Sequence, residues 1–514
     1  MKKILIAMFA LSALAAKAQQ NTLLSPAFWQ GKPDVAAIKA EIDKGNNPSQ
    51  FNAMSFDPVV MAINADASSQ AIFYLLSQPG NEVGKITHDS RNYLHWAAIK
   101  GNTEVMQYLL SKGAKTDNED SHGTVPMLFA AGGGQQNTKV YELLIAGGAN
   151  LKKSVNGDGA NALLVSIAND PEMLLTNYFV AKGLDLNSTD AAGNNAFSYA
   201  ARSGNIELLK KLLQKGIKPM PNAMLMAAQG SRRGSTKLEV YQYLESLGLK
   251  PTITNQKGEN VLHSIVRKPK QEEIIAYFLA RGADINQVDE EGNTVFMNAA
   301  AANRDTAVFA LLLARTKDIN RVKKNGFSAL TLAVRSNSPE VVNYLISKGA
   351  QVKVLDKKGN NLAYYAVDSY RSPRPGGFGG PGGQTGAGAG QRNLNGPKED
   401  DLSIKMKSLQ QAGLDMIAPQ ENGNSLYHIA VAKNDLNLLK RLQPLGIDIN
   451  AKNKDGITAL HKAALTAKDD TVLKYLLSIG ANKEATTSFE ETAFDLAAEN
   501  ESLTKNNISV TFLK

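Results

Sequence analysis

Apolar positions along this chain fall into two kinds of cluster that alternate with a period of 33 or 34 residues. The first kind is short and built from small side chains, as in Ala459-Leu460-His461-Lys462-Ala463-Ala464, and a glycine stands just before it. Those glycines keep the register: Gly258, Gly292, Gly326 and Gly359 are spaced by 34, 34 and 33, and Gly423 and Gly456 by 33. The second kind is larger and spaced for one face of a helix, as in Ile206, Leu208, Leu209, Leu212 and Leu213. Each period therefore predicts two helices. Thr294, Ser328 and Thr458 sit where a hydroxyl caps the amides that open the first helix. Paired alanines (Ala97-Ala98, Ala200-Ala201, Ala463-Ala464) let neighbouring first helices approach closely. Gly113, Gly282, Gly349 and Gly480 end the second, where a left-handed residue is needed. A helix pair of this kind leaves one face that only the next pair can bury, so the expected fold is an elongated stack.

The residues that carry this pattern resemble the ankyrin repeat. The clearest copies run Asp455-Gly456-Ile457-Thr458-Ala459-Leu460-His461 to Gly480-Ala481-Asn482, and Asn92-Tyr93-Leu94-His95-Trp96-Ala97-Ala98 to Gly113-Ala114. Both hold the family's Leu-His-x-Ala core and Gly-Ala ending. The frame recurs at Gly193, Gly258, Gly326 and Gly423, with weaker copies near Gly123, Gly159, Met224 and Glu491. The resemblance implies an all-α ankyrin-repeat solenoid of about 13–14 helix-turn-helix units with short β-hairpin-like loops. A break in its curvature is expected near Pro219 to Thr236, where the copies are poorest.

The ends and one interior tract depart from the period. Lys2 and Lys3, an apolar run from Ile4 to Ala16, and Ala16-Lys17-Ala18 read as a bacterial-style signal peptide over residues 1–18. The run is short of the roughly 20 residues that a membrane span needs, so a periplasmic or secreted protein without a membrane anchor is expected. Residues 19–50 read as an N-terminal capping repeat with a second-helix pattern but no clear first helix. Repeats then occupy 51–370 and 401–487, and 488–514 form a C-terminal cap and tail. Between them, residues 371–400 are rich in glycine and proline, from Arg371-Ser372-Pro373-Arg374 onward. Register places this tract inside one repeat, because a first-helix pattern follows Gly359 and its second-helix pattern begins only near Ile404. It reads as a flexible insertion, with a tether or a lid as its functional alternatives.

Composition changes this picture little. The 514 residues are 43% apolar and 20% charged with a mean hydropathy of −0.24, as expected of a folded, soluble chain. No cysteine is present, which excludes disulfides and a cysteine-linked lipid anchor. The net charge of +9 drops by three if Lys2, Lys3 and Lys17 are removed with the leader, leaving a mildly basic protein.

Candidate chemistry is sparse. Four of the six histidines, His95, His263, His428 and His461, share one repeat position; the ankyrin resemblance makes them framework residues that hydrogen-bond between loops. His88 and His122 fall near loops without acidic or cysteine companions at metal-ligand spacing. No nucleophile elbow, zinc motif or phosphate-cradling loop occurs, so no catalytic, metal or cofactor residue is assigned and the protein is read as a non-enzyme. Binding residues are sought on the concave face that the resemblance implies. Lys100, Arg202, Arg267, Lys268, Arg335 and Lys433 follow the first helices and make a basic ladder, with Arg232, Arg233 and Arg304 nearby. Solvated cations at helix C-termini give the plainer account of them. Phe327 and Ile457, directly after their repeat glycines, are read as exposed anchors, whereas Trp96, Phe129, Tyr199 and Tyr365 are read as buried between helices.

The function these readings point to is an exported, monomeric scaffold whose concave face holds a partner protein, one with an acidic surface if the ladder is used. A polyanion or nucleic-acid binder is the first alternative, disfavoured by export and by the lack of aromatics interleaved along the ladder. An enzyme accessory, or an enzyme with an unrecognised site, is the second.

Overall fold

The computed structural model describes residues 21–230, 234–371 and 400–514. They fall into two compact units that divide between Leu249 and Lys250. Among the described residues fourteen helix pairs follow one another, seven in each unit, from Pro26–Gln30 with Val35–Asp43 to Ala493–Glu499 with Glu501–Lys505. No sheet forms among them; the loops carry isolated antiparallel bridges such as Val288 with Thr294 and Val322 with Ser328. No helix among the described residues is long and apolar enough to cross a membrane.

The local signals act as their chemistry requires. The Thr294 and Ser328 side chains accept from the amides of Met297 and Thr331. The alanine pairs are fully buried or nearly so, and they stack Tyr93–Lys100 on Pro126–Gly132 in the first unit and Val295–Ala302 on Ala329–Ser336 in the second. Second helices bury the residues that the period selects, for example Leu208, Leu209 and Leu212. Gly113, Gly282, Gly349 and Gly480 all have φ between 84° and 96°, as a helix-ending left-handed residue must. The helices Leu362–Asp368 and Asp401–Gln411 pack together as one pair, so the glycine-rich tract interrupts a repeat. Residues 372–399 themselves, the tether and lid readings placed on them, Arg232 and Arg233, and the leader at 1–18 lie outside the described residues.

The first cap differs from its reading in one respect. A first helix does exist there, Pro26–Gln30, five residues long with proline at its start. Trp29 anchors it: the indole is 1% exposed and its Nε1 donates to the Leu23 carbonyl at 2.7 Å. The irregular stretch near Pro219 likewise keeps both helices, Ala223–Gln229 and Leu238–Ser246.

Buried asparagines tie two successive repeats of the second unit to the ones before them. In the second unit, Asn303 Nδ2 donates to the Val266 carbonyl at 2.8 Å and Asn337 Nδ2 to that of Ala300 at 2.9 Å. The next position in this series would be met by Tyr370, at the edge of the insertion. There, Lys405 from the far side of the insertion donates its Nζ to the equivalent carbonyl, Val334, at 3.0 Å. An ammonium thus stands in for the missing amide, and its burial holds the Lys405 pKa below the ordinary lysine range. Asn337 also donates to the Asn303 carbonyl at 2.6 Å. Replacing it with alanine strands two carbonyls at a helix end, and Asn337→Ala is expected to cost about 2 kcal/mol. Urea denaturation together with hydrogen exchange over residues 295–303 measures the loss; unchanged protection there would show that the amide is not holding the seam.

Candidate protein-binding cleft

The loop after each second helix is closed by the same pair of residues in several repeats. Asn194 donates to Asp190 at 2.8 Å, Asn293 to Asp289 at 2.8 Å and Asn360 to Asp356 at 3.1 Å. In the repeat of Gly326, Lys323 and Phe327 occupy those two places. The turn still closes through its backbone, with the Lys323 amide donating to the Phe327 carbonyl at 3.0 Å. The aromatic side chain, having no aspartate to meet, lies instead against Tyr365 of the next repeat, ring centroids 4.8 Å apart at 68°.

This contact corrects the reading of Phe327 as an exposed anchor: it is 8% exposed, because an aromatic directly after one repeat glycine reaches the aromatic six residues after the next. Tyr365 is fixed in turn by its hydroxyl, which donates to Asp356, as the Tyr199 hydroxyl donates to Asp190 at 2.9 Å. Burial pushes the Asp356 carboxyl up, but bonds from Tyr365 and Asn360 outweigh it and hold it below the usual range. Trp96, Tyr199 and Tyr365 are buried, whereas Phe129 is half-buried.

Beside this stack the second unit has a cleft of ≈ 450 Å³. Its aromatic surface comes from Phe327, Tyr365 and the half-buried Tyr364, whose ring meets Tyr365 edge-on at 5.0 Å. Lys324, Arg335 and Lys357 line it and are exposed. Three acids line it: Asp356 is engaged by Tyr365 and Asn360 and Asp368 by Lys433 at 3.3 Å, while Glu291 is exposed at its rim. The fourth cation, Lys358, pairs with Glu421 at 3.6 Å. Lys324, Arg335 and Lys357 have no carboxylate partner among the described residues. Burial pushes the Tyr364 hydroxyl pKa up, so it remains a neutral donor at the cleft wall.

Of the residues that the sequence singles out, Phe327 and Arg335 come together here, and Lys433 reaches the edge through Asp368. The others do not join them. Lys100, in the first unit, pairs with Asp66 at 2.8 Å, and Arg202 donates its Nε to the Gly230 carbonyl at 3.3 Å. Arg267 is exposed and Lys268 half-buried. Ile457 is half-buried, its carbonyl accepting from a histidine of the preceding repeat. Lys433 also donates to the carbonyl of Asp368 at the end of helix Leu362–Asp368, which is the helix-end role that the plainer account assigns to these cations. The sequence reading passed over Lys324, Lys357 and Tyr364. Their signal is the dilysines Lys323-Lys324 and Lys357-Lys358, one repeat apart at two adjacent turn tips.

The shared histidine position is structural. His428 Nδ1 accepts from the Ser425 amide at 3.1 Å while Nε2 donates to the Ile457 carbonyl at 2.8 Å. His461 repeats this with Thr458 and Ala485; His95 bridges to Thr124, and His263 is buried at the same place. His88 and His122 do have an acidic companion, contrary to the sequence reading. Asp89, at φ 55°, turns its carboxylate to both, 3.4 and 3.7 Å from their Nε2 atoms. Arg91 occupies the same oxygen at 3.1 Å, and no group of three ligands among the described residues is placed to hold a metal ion.

A sequence model of the family described as Ankyrin repeats (3 copies) matches residues 59–154, 127–223, 262–356 and 427–509, well over half of the chain. The chain is an ankyrin repeat protein. Similar sequence occurs in the Transient receptor potential cation channel subfamily A member 1 of Homo sapiens, 22% identical over 87% of this chain and 32% of the channel. L-asparaginase of Dirofilaria immitis is 31% identical over 32% of this chain and 27% of the enzyme. The Nuclear factor NF-kappa-B p105 subunit of Gallus gallus is 32% identical over 33% of this chain and 14% of that protein. The chain thus spans about a third or less of these relatives, and what the matches share is the repeat. Ankyrin repeats generally mediate protein–protein interaction.

Proposed function

We propose that this ankyrin repeat protein is an exported scaffold, non-enzymatic and monomeric, that holds a partner protein at the cleft of the Gly326 and Gly359 repeats. The observation that carries the reading is the convergence of Phe327 and Arg335, chosen from sequence on separate grounds, in one cleft with unpaired cations and aromatic surface. A site of that kind, with rings for apolar contact and charges for orientation, suits a protein surface. Export rests on Lys2 and Lys3, the apolar run to Ala16 and the Ala16-Lys17-Ala18 cleavage pattern, and it places the partner in the periplasm or outside the cell.

The test is affinity capture from the exported fraction with the full chain, beside the double variant Arg335→Glu/Lys357→Glu and beside Lys100→Glu. A partner retained by the wild type and by Lys100→Glu, but reduced at least tenfold by the double variant, is the expected result. Equal capture by all three removes the cleft from the reading. N-terminal sequencing of the exported protein, expected to start at Gln19, checks the leader; recovery of the chain only from the cytoplasm would refute export.

A further inference from the structure

The charge around the cleft is uneven in a way that identifies what it accepts. Turn tips on either side neutralise their own lysines across the repeat boundary: Lys257 meets Glu290 at 3.6 Å, and Lys358 meets Glu421 at 3.6 Å. Between these pairs, Lys324 and Lys357 occupy consecutive tips that are joined through the backbone, the Lys357 amide donating to the Asn325 carbonyl at 3.1 Å. Among the described residues neither has a carboxylate within ion-pair distance, although the exposed Glu291 also lines the cleft, and Arg335 adds a third unmatched cation whose guanidinium lies 5.9 Å from the Phe327 ring centroid. A guanidinium presents a planar fork that accepts a carboxylate through two hydrogen bonds. The cavity volume, ≈ 450 Å³, suits one or two side chains of a bound segment and is small for a folded surface.

We propose that the cleft binds an extended acidic segment of the partner chain, with two carboxylates about three residues apart and an aromatic or branched aliphatic side chain between them. This rests on the scaffold reading and specifies its ligand. The spacing follows from geometry. Equivalent positions in neighbouring helix pairs are about 10 Å apart, and a segment extended as polyproline II rises about 3.1 Å per residue with three residues per turn, so carboxylates at i and i+3 share one face about 9 Å apart and match Lys324 and Lys357. The apolar side chain between them meets the Tyr364 and Tyr365 rings, and the Arg335 fork takes one of the carboxylates. A nucleic-acid strand fits less well, because the run of unmatched turn-tip cations is interrupted on both sides by ion pairs, Lys257 with Glu290 and Lys358 with Glu421.

Selection of a random dodecapeptide display library against the full-length protein tests this. The expected winners carry Asp or Glu at i and i+3 around an apolar residue. A synthetic winner, followed by fluorescence anisotropy, should lose at least tenfold in affinity to Arg335→Glu and to Lys324→Glu/Lys357→Glu. It should also lose affinity as salt rises, since these charges are exposed, and should bind Lys100→Glu unchanged. Winners that are neutral or basic, no winners at all, or acidic winners indifferent to both cleft variants would each overturn the proposal. If it falls while capture of the partner from the exported fraction still depends on Arg335 and Lys357, the scaffold reading stands with a different ligand chemistry. If capture is also indifferent to them, the scaffold reading at this cleft falls too.

Discussion

Lowering the pH from 7 to 5 is expected to loosen the repeats of His428 and His461 before any carboxylate titrates appreciably. In each, the imidazole is neutral with its proton on Nε2, because Nε2 faces a carbonyl while Nδ1 accepts from a backbone amide at 3.1 Å. Protonation of Nδ1 takes that acceptor away: the new N–H can turn to the Ser425 or Thr458 hydroxyl oxygen at 2.8 and 2.9 Å, but the backbone amide is left facing a donor, and a buried donor left unmet costs about 1–3 kcal/mol. Burial, the largest influence, accordingly pushes both imidazoles below the ordinary histidine range. His95 moves the same way, down to about 4. The sign follows from linkage. The unfolded chain takes up protons near its ordinary pKa of about 6.5 while the folded chain refuses them, so the contribution is complete above that value and is lost as pH falls toward the folded pKa. For His95 alone the loss is about 3 kcal/mol at pH 4, at about 1.4 kcal/mol per unit. Urea midpoints between pH 7 and 5, with hydrogen exchange corrected for its intrinsic pH dependence, should show the repeats of Gly423 and Gly456 losing protection. His428→Leu/His461→Leu should flatten that slope even though it lowers stability at pH 7. A slope the double variant leaves unchanged would assign the acid sensitivity to other groups.

These histidines show what the sequence could reveal. Every feature that repeats and acts within one helix pair was legible: capping side chains, alanine pairs, the second-helix stripe and the terminal glycines are local patterns, and fourteen copies reinforce one another. What escaped depends on neighbours a full period away or more. Phe327 reads as a loop-tip anchor only while Tyr365, 38 residues later, is left out of account; the 33-residue register places that ring against it. Asp89 was missed beside His88 and His122 because an unusual backbone conformation, not spacing, aims its carboxylate. The helix Pro26–Gln30 was missed since five residues are too few to display a period, although Pro26 marks its start and Trp29 its core. Lys405 is the hardest case. Its partner Val334 is 71 residues away across an insertion, and nothing near Lys405 says that it must make up for Tyr370, which stands at the asparagine position before the insertion. For the cleft, Arg335 and Phe327 were legible singly, but the basic ladder was too broad a reading: Lys100 and Lys433 face an acid at the end of the preceding first helix, which leaves Arg335 distinct.

The same register makes two neighbouring glycines respond very differently to one methyl group. Gly326 and Gly359 hold equivalent turn positions with φ of 90° and 88°, so alanine strains the backbone alike at both, by about 1–2 kcal/mol. Around Gly359 a Cβ would meet nothing within 4 Å, and Gly359→Ala should cost no more than that strain. At Gly326 the added carbon would lie 2.8 Å from Asp356 Cα and 2.9 Å from the Lys357 amide nitrogen. Both are backbone atoms, and neither can rotate away. The two turns must separate, which stretches the Asn325–Lys357 hydrogen bond and adds an overpacking penalty of about 1–3 kcal/mol. Gly326→Ala is therefore expected to cost about 2–5 kcal/mol, with hydrogen exchange rising over residues 323–328 and 354–360. It should also weaken partner capture, because the displaced turns carry Lys324 and Lys357, while Gly359→Ala leaves capture intact. Equal stability losses in the two variants would mean that the turn tips are not in contact in solution. A large loss at Gly326 without any loss of binding would separate the packing of these turns from the cleft they form.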